Sequence, residues 1–172
     1  MPTLREPLPY KEYKGISDLE KRVLLFDPSE IYASKHFDKW VKPFKRRNNV
    51  SISLAFPSRE DKTCSCGCGE KLTGRRTRWA TDECRKFAYT VAAIIAGDND
   101  IIRKYLRLYL GYWACCSCGA TDIWKEQKNG LIVDCIHVDH IVPVKKGGGG
   151  CWLSNYQLLC EDPCHKEKTR NE

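Results

Sequence analysis

A chain of 172 residues can bury one full core plus a small metal-held lobe, and it is too short for two ordinary domains. Its 29 Lys+Arg against 22 Asp+Glu leave a net charge of +7, which favours a polyanionic partner, with a merely solvated basic surface as the alternative. Eleven cysteines behind a polar, proline-punctuated opening, MPTLREPLPYKEYK, speak against a secreted disulfide scaffold. The expectation is a soluble, cytoplasmic protein whose thiols stay reduced and free for metal. Its longest apolar stretch, FAYTVAAIIAG, is shorter than the roughly 20 residues that cross a bilayer, so no membrane partner is expected.

Residues 1–62 mix charges, aromatics and prolines and read as an N-terminal extension. SDLEKRVLLF predicts one short helix, with Ser17 and Glu20 in capping-box order. In VKPFKRRNNV, the side chains of Lys42, Lys45, Arg46 and Arg47 interleave with Phe44, a pattern that suits either a phosphate grip or a solvated loop. His36 is given no role.

Residues 63–111 begin TCSCGCGEKLTGRRTRWATDECRKF. Asp82 is placed to cap a helix running to about Ala96, and Asp98 to cap another through Leu110, with Gly97 and Gly111 as stops. The short GDND link predicts two helices in antiparallel contact. Phe87, Val91, Ile94, Ile95, Ile102, Tyr105, Leu106 and Tyr109 recur at helical spacing and are expected in the core.

Residues 112–172 hold two spaced cysteine pairs, Cys115-x-x-Cys118 and Cys160-x-x-x-Cys164. Two such pairs are the layout of a tetrahedral zinc site that joins two turns. Cys116 is a spare thiol, and a pairing of Cys116 with Cys118 in place of Cys115 stays open at this stage. Between the pairs, GLIVDCIHVDHI predicts one strand after a KNG turn, ended by Pro143. A glycine loop, a second extended piece at YQLLC and a helix from near Pro163 follow. Trp113, Trp124 and Trp152 are expected to pack around this small core.

The segment VDHIVPVKKGGGGCWLSNYQLLCEDPCHKEKT resembles the HNH nuclease motif, the ββα-metal finger, in the subgroup stapled by a four-cysteine zinc. The name-giving positions map onto His140, Asn155 and His165. The resemblance covers roughly residues 112 to 170, and it departs from the family pattern in the three residues between Cys160 and Cys164. It implies an α+β fold: a zinc-stapled ββα-metal finger, preceded by a helical region and a second small zinc knuckle. It implies a metal-dependent endonuclease acting on DNA, of prokaryotic or phage type, such as a homing or restriction enzyme.

In-line cleavage of a phosphodiester needs an activated water, charge neutralisation on the phosphate and stabilisation of the leaving oxygen. The resemblance assigns Asp139 and His165 to one hard divalent ion, Mg2+ or Mn2+, and His140 to the general base. For Asn155 the expectation is that it braces the loop that orients the base. Gly147 to Gly150 let the chain turn, with close approach to a phosphate or plain flexibility as alternatives. His137, one alternation from Asp139, is a weaker candidate for the ion or a phosphate.

Structural Zn2+ is expected at Cys115, Cys118, Cys160 and Cys164, and a second at Cys64, Cys66, Cys68 and Cys84. DNA contacts are assigned to Arg75, Arg76 and Arg78 of GRRTRW, to Lys145 and Lys146 in the glycine loop, and to Lys166, Lys168 and Arg170 of the last helix. Cutting both strands with one site per chain suits a homodimer. The competing reading is a non-catalytic zinc-finger module that binds nucleic acid or protein.

Overall fold

A computed structural model of the chain describes residues 15–32, 52–148 and 151–172. Lys42, Phe44, Lys45, Arg46, Arg47, His36, Gly149 and Gly150 lie outside the described residues. The first helix, α1 (Asp18–Leu24), starts where the sequence places it: Ser17 Oγ accepts from the Glu20 N–H, and the Glu20 carboxylate reaches back to the Ser17 N–H. Two single turns follow, α2 (Ser29–Tyr32) and α3 (Ile52–Ala55).

The long pair is α4 (Asp82–Ala96) and α5 (Asn99–Leu110). Thr81, one residue before Asp82, is the true cap of α4, its hydroxyl accepting from the Cys84 N–H. Asp98 caps α5 through the Ile101 N–H, and Gly97 and Gly111 close the two helices in left-handed backbone. Phe87, Val91, Ile94, Ile95, Ile102, Tyr105 and Leu106 are buried as their spacing requires, each contributing about 1.5–3 kcal/mol of apolar burial for the larger side chains.

The predicted long strand is two strands. β1 (Trp124–Glu126) and β2 (Ile132–Asp134) form a hairpin across the Lys128–Gly130 turn, while β3 (Ile136–His140) leaves it and pairs antiparallel with β4 (Tyr156–Cys160). The break at Cys135 coincides with contacts from α5 and Trp113. Asp134 Oδ2 accepts from Arg103 Nη2 at 2.8 Å and from Trp113 Nε1 at 2.7 Å, and Asp134 Oδ1 accepts from the Ile136 N–H at 2.9 Å. Arg103 Nη1 also donates to the Ile136 carbonyl at 3.0 Å. A helix-borne guanidinium thus bends the chain at the point where the strand would otherwise continue.

The last helix also starts later than expected. The turn Glu161–His165 is broken by extended backbone at Asp162, and regular helix α6 spans Lys166–Asn171. His165 therefore stands at its entrance and not within its first turn. Of the three tryptophans expected around the small core, Trp152 is buried against Phe26, with ring centroids 5.6 Å apart, and Trp113 is half-buried at Asp134. Trp124, on the two-stranded β1–β2 sheet, is 60% exposed and lies outside the apolar cluster of the described residues. One apolar cluster runs from Val23 through Phe87 and Leu106 to Ile136, Leu158 and Cys164. Among the described residues no helix is long and apolar enough to cross a membrane.

Candidate metal centre and nuclease site

Two groups of four sulfurs converge, Cys64, Cys66, Cys68 and Cys84 in one and Cys115, Cys118, Cys160 and Cys164 in the other, all within 4.8 Å of one another in each group. Four thiolates at about 2.3 Å around one zinc stand about 3.8 Å apart. Cys118 and Cys160 are 3.8 Å apart and Cys68 and Cys84 3.9 Å apart, at that spacing, while Cys64 and Cys66 stand closer, at 3.1 Å, and would have to open slightly around the ion. Cys115, and not Cys116, faces the second group. The Cys116 thiol is taken up elsewhere, 3.4 Å from the Tyr112 hydroxyl and accepting from the Leu158 N–H at 3.4 Å.

The electrostatics of the two groups favour a cation. Burial pushes the Cys115 thiol up, but backbone N–H groups of Cys118, Cys160 and Ser117 overcome it and bring it down to about 6. Burial and the neighbouring thiols drive Cys164 the other way, to about 12. The cluster takes a first negative charge readily and resists the next, a resistance that a divalent ion removes. At the other group, burial again opposes ionisation, while hydrogen bonds from Thr81, Cys66 and Arg22 lower Cys84 to about 7. The Arg22 guanidinium lies 3.0 Å from Cys66 Sγ and 3.8 Å from Cys84 Sγ, stacked 3.9 Å over the Phe87 ring.

The second staple sets the position of the residues of interest. Cys160 ends β4 and pairs with Ile136 at the start of β3, while Cys164 immediately precedes His165. Asp139 in β3 and His165 at the helix entrance consequently face each other, with Oδ1 and Nε2 3.9 Å apart. Two ligands of one small cation stand about 3 Å apart when adjacent and about 4.2 Å when opposite, so this pair can share one. His137 joins from the same strand, its ring 5.5 Å from that of His165.

His140 closes β3 opposite Tyr156, their rings 4.8 Å apart. Its Nε2 is buried and has no hydrogen-bond partner among the described residues. Burial is the main cause that lowers its pKa below the ordinary imidazole value, helped by Lys168 and opposed by Asp139 and Glu172. Burial therefore favours the neutral ring over the charged one.

Asn155 ties the intervening loop. Its Oδ1 accepts from the Val142 N–H at 2.9 Å, and its Nδ2 donates to the carbonyls of Val142 at 3.2 Å and Gly148 at 3.0 Å. Gly148 is required there: a Cβ would fall 1.7 Å from the Val142 carbonyl oxygen. The order of cysteine staple, paired strands, braced loop and helix-entrance histidine is that of a ββα-metal finger. Residues 115–171 match the family model of the HNH endonucleases.

This segment is an HNH domain. Over 35 residues, 20% of this chain, the sequence is 57% identical to the DNA annealing helicase and endonuclease ZRANB3 of Mus musculus and, with the same figures, to that of Homo sapiens. The matched stretch is 3% of the length of each of these relatives, so the likeness concerns one small part of them. No solved structure matches the chain.

The basic residues named from the sequence divide in two around the HNH domain. Arg75 and Arg76 are exposed on the first knuckle and Lys145, Lys146 and Arg170 on the HNH domain, while Arg78 is half-buried beside the Trp79 ring. Lys166 is exposed but paired with Asp162 at 2.6 Å. Lys168 is turned inward: its Nζ meets Asp139 Oδ2 at 2.8 Å, donates to the His140 carbonyl at 2.8 Å and pairs with Glu172. Sequence inspection missed two further contacts, Gln157 Nε2 donating to Asp139 Oδ2 at 3.0 Å and Arg22 at the first cysteine group. The strand register, which sets Gln157 opposite Asp139, would have revealed the former.

Proposed function

We propose that this protein is a metal-dependent DNA endonuclease that hydrolyses phosphodiester bonds with one divalent cation, Mg2+ or Mn2+, held by Asp139 and His165. The observation that carries the proposal is their 3.9 Å separation, on the strand whose next residue is His140. Bound there, the cation supplies charge neutralisation at the phosphate and at the departing oxygen. We assign His140 as the general base that takes the proton of the attacking water; burial lowers its pKa and so favours the neutral ring such a base needs, and substrate binding must open its buried Nε2 to that water. Asn155 acts by bracing, since both ends of its amide are spent on the backbone that follows His140.

Zn2+ in the cysteine groups has a structural task, holding β4 and the helix entrance in place around the reaction centre. Residues 112–172 serve as the nuclease domain, 63–111 as a knuckle with its helical pair, and 1–62 as an extension toward DNA. Arg75, Arg76, Arg78, Lys145, Lys146, Lys166 and Arg170 grip the phosphate backbone, as their charge and, for most, their exposure suit. The protein works in a reducing cytoplasm, where its free thiols persist. A homodimer would bring two sites to the two strands.

Supercoiled plasmid incubated with the zinc-loaded protein and Mg2+ or Mn2+ is expected to be nicked or linearised. His140→Ala should slow this by about 10²–10⁴-fold. Plasmid left intact by both proteins would point instead to a non-catalytic nucleic-acid-binding module.

A further inference from the structure

The two oxygens of Asp139 are treated differently. Oδ2 receives two donors, Gln157 Nε2 at 3.0 Å from the facing strand and Lys168 Nζ at 2.8 Å from the last helix. Oδ1 receives neither and faces His165 Nε2. Lys168 is itself held from two other sides, by the His140 carbonyl at 2.8 Å and by the Glu172 carboxylate, and its side chain is only 22% exposed. It is one turn along from His165, so the helix that presents the imidazole also presents the ammonium.

From this we infer that Lys168 and Gln157 are positioning residues that occupy Oδ2 of Asp139, leaving Oδ1 as the single carboxylate oxygen for the catalytic ion. The inference rests on the assignment of Asp139 and His165 as ligands made above. Its physical content is a trade between affinity and reactivity. An ammonium against one carboxylate oxygen prevents chelation by both, and its positive charge repels a second cation nearby. The ion is then held more weakly than an unencumbered carboxylate would hold it. More of its charge is left for the phosphate, where it is needed during the reaction.

The test separates this arrangement from a merely structural ion pair. Mn2+ affinity is measured by paramagnetic resonance on the zinc-loaded full chain, alongside plasmid nicking, zinc content and melting temperature. Lys168→Gln keeps a donor for the His140 carbonyl and removes the charge; Lys168→Met removes both. Each is expected to bind Mn2+ about tenfold tighter while nicking at least tenfold more slowly. Lys168→Arg should restore both properties to within a few-fold of wild type. Gln157→Leu, which changes no charge, should leave affinity within about twofold and reduce nicking less than the lysine variants do.

Unchanged or weaker Mn2+ binding in a lysine variant with normal zinc content and melting would overturn the inference. So would unfolding of both Lys168→Gln and Lys168→Met, which would show that the lysine supports the fold and not the ligand. Failure of the underlying assignment looks different: wild type would bind no Mn2+, or Asp139→Asn and His165→Ala would bind it as wild type does.

Discussion

The two cysteine groups have the same chemistry and opposite topology. In the first, Cys64, Cys66 and Cys68 come from one tight loop and Cys84 from the start of α4, so the group closes over a short span of chain. In the second, Cys115 and Cys118 meet Cys160 and Cys164 across a long span that contains the hairpin, β3 and the glycine loop. The first knuckle organises itself and is steadied by Arg22 from α1. The second draws distant elements together, and those elements carry Asp139, His140 and His165. A local staple stabilises a lobe; a long-range one also decides where reactive side chains lie, because it closes the larger loop.

The strongest way to break this comparison is to remove one ligand from each group. Cys160→Ser should release one zinc equivalent and unfold residues 115–171, forfeiting metal binding worth about 10 kcal/mol. Cys66→Ser should also release one equivalent, yet amide exchange should keep the β3–β4 ladder protected. Loss of that ladder in both variants would show the staples to be equivalent. Next in size is Phe87→Ala, which empties the contact among Phe26, Phe56 and Phe87 behind the first knuckle. It should cost about 3–5 kcal/mol in denaturant unfolding.

Arg103→Met tests the bend that delivers the chain from the hairpin to β3. It leaves Asp134, with only 18% of its side chain exposed, without its cation. A loss of about 2 kcal/mol is expected, below the value for a fully buried pair because the partners keep some solvent. Nicking should fall along with stability, as β3 carries Asp139 and His140.

A smaller effect concerns pH. Burial holds the His140 pKa below its ordinary 6.5. As pH drops through 6.5, the unfolded chain takes up a proton that the folded chain refuses, so stability declines until the folded pKa is passed. Wild type should therefore lose more melting temperature between neutral pH and pH 5 than His140→Asn does. The acid limb of nicking should likewise lie below pH 6.5, and a bound cation next to Asp139 pushes it the same way. Smallest of all, Arg75→Ala with Arg76→Ala should weaken DNA binding evenly across sequences and reduce the salt slope by about 2, with the melting temperature unchanged.

Much of the chain was legible without coordinates wherever one interaction is local. The Ser17–Glu20 box, the Asp98 cap and the glycine stops depend on residues three or four apart, and the apolar spacing of α4 and α5 follows from helical geometry alone. Strand continuity was not legible at Cys135, because the bend depends on Arg103, which lies 31 residues from Asp134 in sequence. The inward position of Lys168 is hidden from the sequence for a related reason. A lysine on a short helix reads as solvated until the strand beneath it is seen to present a carboxylate and a carbonyl at its tip.

The amino-acid sequence by itself determined the inventory: which thiols come in pairs, which carboxylate adjoins which imidazole, where α1 and α5 begin and where α4 and α5 end. Those are matters of residue type and short spacing, set by covalent neighbours. Only the tertiary structure decided that Cys115 and not Cys116 faces the other sulfurs, that Asp139 divides its oxygens between protein donors and His165, and that His140 Nε2 is buried with no partner among the described residues. Each of these depends on chain segments that meet through the strand ladder and the long-range cysteine staple, and burial, which no linear pattern encodes, sets their electrostatics.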